Sequence, residues 1–175
     1  MRILIAFLLL ACTVFTFMQM RPTGKKLYTS ETKLGILNLE FAYDNDHAAK
    51  ILNAWQPDEK INIARKNTYI DFVFLLFYSI FLFYSCKYLS KNFTGNLRMF
   101  GVFLSKASLI AGGLDILENS GMLITLSGNP SGIILLATAI CATIKWLLAL
   151  LAILYVVFVS PYALFLSIKN KPEAL

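Results

Sequence analysis

The chain has 175 residues, of which 58% are hydrophobic, and its mean hydropathy is +0.66. Four membrane spans of about 20 residues each would use nearly half of such a chain, which leaves no room for a separate soluble catalytic domain. The formal net charge is +6, but the basic residues mostly flank apolar runs, where positive-inside topology and lipid headgroups explain them better than nucleic acid does. These properties predict a single integral membrane domain that binds no nucleic acid.

Four apolar runs predict four membrane-spanning helices, and therefore an all-α membrane fold built as a four-helix bundle. The first run follows Arg2 and lacks a small-residue cleavage site, which favours a retained signal-anchor helix. The predicted spans are residues 1–20, 68–88, 99–126 and 133–159.

Residues 21–67 form the one sizeable polar segment, which we expect to make a small cap outside the cytoplasm. Leu37, Leu39, Phe41 and Tyr43 alternate with other residues, which favours a short strand or an extended piece. A short amphipathic helix capped by Asp44 or Asn45 is predicted next, from apolar residues at helical spacing: Ala48, Ile51, Leu52 and Trp55.

Pro57, Asp58 and Glu59 indicate the first turn of the next helix, which we expect to continue into the second span. The last apolar run extends to Ile168 and would be about 54 Å long as a helix, too long for a hydrocarbon core of about 30 Å. Ser160 and Pro161 therefore predict a helix break, with residues 161–168 as an interfacial helix on the membrane surface.

The distribution of basic residues favours cytoplasmic N- and C-termini. The raw count of Lys and Arg on the two sides does not decide the orientation, because the long polar segment holds many of them among acids. The density of basic residues in the short loop at 87–98, and Arg2 ahead of the first span, favour a cytoplasmic N-terminus.

The third predicted span carries a stripe of small and polar residues spaced alternately four and three apart. Its members are Gly101, Ser105, Ser108, Gly112, Asp115 and Asn119. The fourth span repeats this spacing with Thr138, Ala142, Lys145, Ala149 and Ala152. A tight turn joins the two helices, so we expect them to be antiparallel neighbours that pack through these small residues, with Gly112 opposite Lys145.

Charged residues near the centre of these spans predict a buried polar cluster. Each costs about 2.5–3.5 kcal/mol in the centre of a span, so it should face protein or water. We predict an ion pair between Asp115 and Lys145, with Asn119 and Thr138 completing the hydrogen bonds. Glu118 is then the surplus carboxyl, and we expect it to be neutral at pH 7.

A secondary polar stripe is predicted on the second span, where Asp71, Tyr78 and Ser85 are seven residues apart on one face. We expect Asp71 to lie near the outer end of that helix, close to Arg65 and Lys66.

Other residues give weaker indications of chemistry. His47 lies beside Asp44 and Asp46, a set that could contact a metal, but helix capping is the favoured interpretation. The cysteines Cys12, Cys86 and Cys141 all fall in apolar runs and are interpreted as buried hydrophobes. No catalytic residue, metal or cofactor is assigned.

Four sequence segments carry a resemblance. They are Leu34-Gly35-Ile36-Leu37, Leu39-Glu40-Phe41-Ala42, residues 48–55, and Leu114-Asp115-Ile116-Leu117-Glu118-Asn119. With the Asp-x-x-Glu-Asn motif of the last segment, the chain resembles a group of uncharacterised small bacterial four-helix integral membrane proteins. The resemblance implies four helices and a bacterial inner membrane, and it implies nothing about chemistry.

Three functions are compatible with these patterns. The favoured one is a non-catalytic accessory subunit of a larger respiratory, transport or secretion complex, with other membrane subunits and membrane lipids as partners. A small proton- or ion-coupled carrier that uses Asp115 and Glu118 is the second. The third is a lipid-modifying enzyme, which needs a headgroup-sized pocket near Asp71, Glu118 and His47.

Overall fold

The computed structural model describes residues 2–57 and 59–169, and this part of the chain contains six helices. They are α1 (Arg2–Lys25), α2 (Leu37–Glu40), α3 (Asn45–Trp55), α4 (Lys60–Ser90), α5 (Gly95–Leu126) and α6 (Gly132–Lys169). Within the described residues, α1, α4, α5 and α6 are long and apolar enough to cross a membrane. The prediction of an all-helical chain with four long apolar helices is confirmed.

Helices α4, α5 and α6 pack against one another, whereas α1 packs mainly against α4. The amide of Asn67 on α4 donates to the carbonyl of Met20 at 2.9 Å and to the hydroxyl of Thr23 at 2.7 Å. The rings of Phe17 and Phe74 meet further along the same interface. Helix α1 is therefore a peripheral helix attached to a three-helix core.

Three glycines on α5 lie where a side chain of a neighbouring helix comes close to the backbone of α5. A Cβ atom added to Gly112 would lie 2.8 Å from the Cβ of Ser79 on α4, so Gly112 faces α4. Its predicted position opposite Lys145 on α6 is wrong, because the rotation of α5 turns this residue toward α4. Gly121 meets Thr138 of α6, and Gly101 meets Tyr155 of the same helix.

The other four residues assigned to helix packing from the sequence are all buried. These residues are Ser105, Ser108, Ala142 and Ala149. The hydroxyls of Ser105 and Ser108 donate to carbonyls of their own helix, so they present no unpaired polar group to the neighbouring helices.

Residues 26–57, here called the cap segment, fold over one end of the bundle. Trp55 is fully buried, and its indole N–H donates to the carbonyl of Leu27 at 3.0 Å. The apolar side chains of the segment share a core with Ala64 of α4, Leu126 of α5 and Leu135 of α6. The cap segment is thus packed on the start of α4, the end of α5 and the start of α6.

Two expectations for this region are wrong. The alternation that favoured a strand or an extended piece lies instead on a helical turn, α2, where the consecutive residues Leu39 and Glu40 are both buried. A strand would have placed them on opposite faces. Helix α4 begins at Lys60, after Glu59 in a left-handed conformation with φ 53°, so Pro57 to Glu59 are not its first turn; Asp58 lies outside the described residues.

The predicted break at Ser160 and Pro161 is also wrong, because α6 is continuous from Gly132 to Lys169 with Pro161 inside it. Proline removes one backbone hydrogen bond, whereas ending a helix leaves four carbonyls without intrahelical partners. Ser160 donates its hydroxyl to the carbonyl of Val156 at 2.6 Å, so this side chain is satisfied within the helix and does not end it. The placement of residues 161–168 on a membrane surface stays a prediction.

Candidate functional site

Eight polar side chains meet where α2, α4, α5 and α6 come together. This polar cluster consists of Glu40, Asp71, Tyr78, Asp115, Glu118, Asn119, Lys145 and Trp146. All of them except Trp146 are buried. Because buried polar groups are costly without partners, the hydrogen bonds of each member matter to the fold.

The ammonium group of Lys145 is the centre of the cluster. Its Nζ atom donates to Oδ1 of Asp115 at 2.9 Å and to Oε1 of Glu118 at 2.8 Å. Oε2 of Glu118 also lies 2.8 Å from this nitrogen, and Oε2 of Glu40 lies 3.8 Å from it. The pairing of Asp115 with Lys145, which the register of the two helices predicts, is present and connects α5 to α6.

Two further hydrogen bonds connect α4 to α5. The hydroxyl of Tyr78 donates to Oδ2 of Asp115 at 2.8 Å, and the amide of Asn119 donates to Oδ2 of Asp71 at 2.9 Å. Asp71 and Tyr78 thus belong to the main cluster, not to a separate stripe. Ser85 is buried on the same helix, and no cluster hydrogen bond involves it.

The expected closeness of Asp71 to Arg65 and Lys66 stays a prediction, but the hydrogen bonds of Asp71 and Arg65 go to other partners. Asp71 hydrogen-bonds to Asn119, whereas the guanidinium of Arg65 donates to the carbonyl of Leu126 at 2.7 Å. Arg65 therefore satisfies one of the free carbonyls at the end of α5.

One expectation inside the cluster is wrong. Thr138 donates its hydroxyl to Ile134 of its own helix at 2.8 Å and packs on Gly121, so it does not complete the hydrogen bonds around Asp115. Glu118 faces Lys145 with both oxygens, but its Oε2 atom is buried without a hydrogen bond among the described residues, so its role as the surplus carboxyl stays a prediction. Asp71 is a second candidate for this role, because its hydrogen bond in the cluster comes from a neutral amide.

Glu40 was missed by the sequence analysis. Its Oε2 atom accepts a hydrogen bond from the indole N–H of Trp146 at 3.1 Å, and this contact joins α2 of the cap segment to α6. The signal in the sequence was a single acid between Leu39 and Phe41, in a stretch otherwise rich in apolar residues. An acid in that setting needs a buried partner, but nothing local to α2 identifies one 106 residues away.

The cluster holds more acid than base. Four carboxyl groups (Glu40, Asp71, Asp115 and Glu118) are buried around the single ammonium group of Lys145. Within the described residues, the side-chain oxygen of Asn119 is buried with no hydrogen-bond partner. An excess of buried negative charge is costly, so the arrangement calls for protons or a further cation to neutralise it. In the described part of the chain, no group of three or more His, Cys, Asp or Glu residues is arranged to hold a metal ion.

His47 and the cysteines lie outside the cluster. The carboxylate of Asp44 accepts the backbone N–H of His47 at 2.7 Å, which is the N-cap of α3. The helix-capping interpretation of this region thus matches the structure. Cys86 is buried as expected, but Cys12 and Cys141 are partly exposed.

Comparison of the chain with protein-family models, with curated proteins and with solved structures gives no match. The resemblance to small bacterial membrane proteins stays a prediction, and the function is argued from the geometry alone.

Proposed function

We propose that this protein is a multi-pass membrane protein that serves as a non-catalytic accessory subunit of a larger membrane complex. The hydrogen bonds of the polar cluster support this role, because each of them connects one helix to another. Lys145 joins α6 to α5, Tyr78 and Asp71 join α4 to α5, and Glu40 joins the cap segment to α6. Polar groups that cross-link four elements favour a rigid scaffold that presents its outer surface to partners.

The observation that carries the proposal is the position of Gly113 on the outer face of α5. Its neighbour Gly112 is required by the close approach of Ser79, but a Cβ atom at Gly113 would meet nothing within 4 Å. Glycine inside a helix costs about 1 kcal/mol relative to alanine, and the packing of this chain does not explain that cost. A transmembrane helix of a partner subunit does, because small residues allow helix backbones to approach closely in lipid.

The other residues on this face of α5 also suit contact with a transmembrane helix of a partner subunit. Ile110 and Leu117 flank Gly113 one turn away on either side, and both side chains are more than half exposed. Ser120 follows two turns after Gly113, is also exposed, and donates its hydroxyl to Ile116 at 2.7 Å, so it offers a small contact without an unpaired donor. The face therefore combines a shallow groove at the small residues with apolar ridges beside it.

Purification of the full chain from its native membrane in mild detergent tests this proposal. We expect the wild-type chain to elute with partner subunits, and the Gly113→Leu variant to elute as a smaller species because the added side chain fills the groove. The matched control is Ala137→Leu on the exposed side of α6, which should leave the complex intact. Elution of the wild-type chain as a lone monomer would count against the subunit role.

The proposed location is the cell membrane, with cytoplasmic termini, residues 26–57 outside the cytoplasm and residues 161–168 along the inner surface. The test uses single cysteines at two exposed positions, Asn53→Cys in α3 and Lys91→Cys after α4, in a chain whose native cysteines are replaced by alanine. A membrane-impermeant maleimide added to intact cells should label the Asn53→Cys variant alone. Labelling of the Lys91→Cys variant alone would reverse the orientation.

A proton-coupled carrier is the second candidate, and the excess of buried carboxyls over ammonium groups is the observation that favours it. The test is proton flux across vesicles that contain the purified chain. Loss of flux in the Glu118→Gln variant, with normal flux in the exposed-site variant Glu31→Gln, would support the carrier. Absence of flux in the wild-type chain would exclude it. Gel filtration of each variant shows whether it is folded.

A further inference from the structure

A second polar site lies at the opposite end of the bundle from the cap segment. The end of α4 and the start of α5 enclose an open groove of about 190 Å³. Four basic residues line it, namely Lys87, Lys91, Arg98 and Lys106. None of them belongs to the polar cluster.

The positive charge of this groove is not balanced by acids of the surrounding helices. Residues 72–114, which include the end of α4, the loop and most of α5, contain no Asp or Glu. Residues 133–169, which make up nearly all of α6, contain none either. The groove is therefore a concentrated positive site, and it suits an anion.

The walls of the groove are apolar below the charges. Phe83, Val102 and two serines, Ser90 and Ser105, line it together with the basic residues. The ammonium group of Lys87 lies 5.1 Å from the centre of the Phe83 ring. This contact places the charge of Lys87 against an aromatic side chain of the groove lining. Lys106 follows Arg98 by eight residues, about 12 Å along the helix, so its long side chain reaches back toward the same end.

We propose that this groove binds the phosphate group of an anionic phospholipid, whose acyl chains lie against the apolar walls. The proposal rests on the membrane location argued above. Basic pockets between transmembrane helices are suited to anionic headgroups, because the phosphate contacts the charges while the lipid tails stay in hydrocarbon. The chemistry recognised is a phosphodiester monoanion whose headgroup carries no positive charge, because the four basic residues repel the ammonium group of a zwitterionic lipid such as phosphatidylcholine. The apolar walls favour the lipid over free phosphate.

Native mass spectrometry of the full chain in detergent tests this proposal. The chain is titrated in separate experiments with phosphatidylglycerol, phosphatidylcholine and inorganic phosphate. We expect phosphatidylglycerol to bind at least tenfold more tightly than the other two. Each of the substitutions Lys87→Gln and Arg98→Gln should weaken its binding about fivefold, the effect of one basic residue near an anionic surface. Lys50→Gln, at an exposed site on α3, is the matched control and should not change the affinity.

Three outcomes would overturn the proposal. Equal affinity for phosphatidylglycerol and phosphatidylcholine would show that the charge is not recognised. Equal affinity for inorganic phosphate would show that the lipid tails contribute nothing. An unchanged preference for phosphatidylglycerol over phosphatidylcholine in the double variant Lys87→Gln/Arg98→Gln would show that the lipid binds elsewhere. None of these outcomes tests the subunit role, because Gly113 lies outside the groove. The Gly113→Leu variant is judged by the size of the complex that is purified with it.

Discussion

The ammonium group of Lys145 on α6 lies 2.8 Å from both carboxylate oxygens of Glu118 on α5. The same group is 2.9 Å from Asp115, so one buried cation serves two acids on one helix. Burying a charge without a partner is far more costly than burying it in a pair. The stability of the α5–α6 interface should therefore depend on Lys145 more than on any single apolar contact there.

Replacement of Lys145 by methionine, which has a similar length and no charge, should destabilise the protein by about 3–5 kcal/mol, because it leaves buried carboxyls unpaired. The free energy of unfolding in detergent micelles, followed by circular dichroism, measures the effect. The matched control is Lys106→Met, which changes an exposed lysine of α5. The double variant Lys145→Met/Glu118→Gln should recover part of the loss, and an unchanged stability of the single variant would contradict this account.

Glu40→Ala should loosen the cap segment while the three-helix core stays folded. The substitution removes the acceptor for the Trp146 indole and one carboxyl near Lys145, a loss of about 1–3 kcal/mol for a buried hydrogen bond to a charged group. Hydrogen exchange by mass spectrometry should show faster exchange in residues 26–57 and no change at the α4–α5 interface. Glu31→Ala, an exposed acid of the same segment, serves as control. Equal protection of residues 26–57 in Glu40→Ala and the wild type would show that this contact does not hold the cap.

Gly112→Ala and Gly113→Ala should have opposite effects on stability although the two residues are neighbours. The added methyl group at Gly112 would press on Ser79, and overpacking of this kind costs about 1–3 kcal/mol. At Gly113 it enters open space, and the better helix propensity of alanine should stabilise the isolated chain by up to about 1 kcal/mol. Thermal unfolding of both variants in the same detergent compares them. Ser79→Gly should rescue Gly112→Ala, and failure to do so would mean that the clash lies elsewhere.

Asp71→Asn should remove a protonated carboxyl group at neutral pH. Four acids share one ammonium group in the cluster, and Asp71 is the one that receives its hydrogen bond from a neutral amide. Infrared difference spectroscopy of the wild type against the Asp71→Asn variant should show loss of a carboxylic acid carbonyl band. The same comparison with Glu118→Gln tests the other candidate. Loss of a carboxylic acid band in Glu118→Gln, with loss of a carboxylate band in Asp71→Asn, would assign the proton to Glu118.

The four long helices could be predicted because hydrophobic length is a local property of the sequence. The end of α5 at Leu126 follows from the uncharged turn after it, whereas its start at Gly95 precedes the predicted span because the first turn of the helix lies in the basic loop. The continuation of a helix from the polar segment into the second span was also predicted, and α4 confirms it, although the helix begins at Lys60 and not at Pro57. Its first turns carry polar residues such as Asn62 and Arg65, so hydropathy alone does not identify where the helix begins.

The contact between Asp115 and Lys145 could be predicted because a tight turn fixes the register of α5 against α6. The contact between Asp71 and Asn119 could not, because the predicted spans leave residues 89–98 as a loop, and a loop of that length does not fix the register of the two helices. In the structure residues 91–94 alone separate α4 from α5. A turn fixes the register of two helices along their axes but not their rotation, so the sequence did not predict that Gly112 faces Ser79 or that Thr138 packs on Gly121. Glu40 was missed because its partners are far from it in sequence.

The two tryptophans of this chain lie at the two places where the cap segment is anchored. Trp55 is enclosed in the apolar core of the cap, whereas Trp146 is about half exposed and hydrogen-bonded to Glu40. Their fluorescence should therefore differ in emission wavelength. In the Trp55→Phe variant all tryptophan emission comes from Trp146. A change in that emission would therefore report loss of the hydrogen bond to Glu40, and with it detachment of the cap segment.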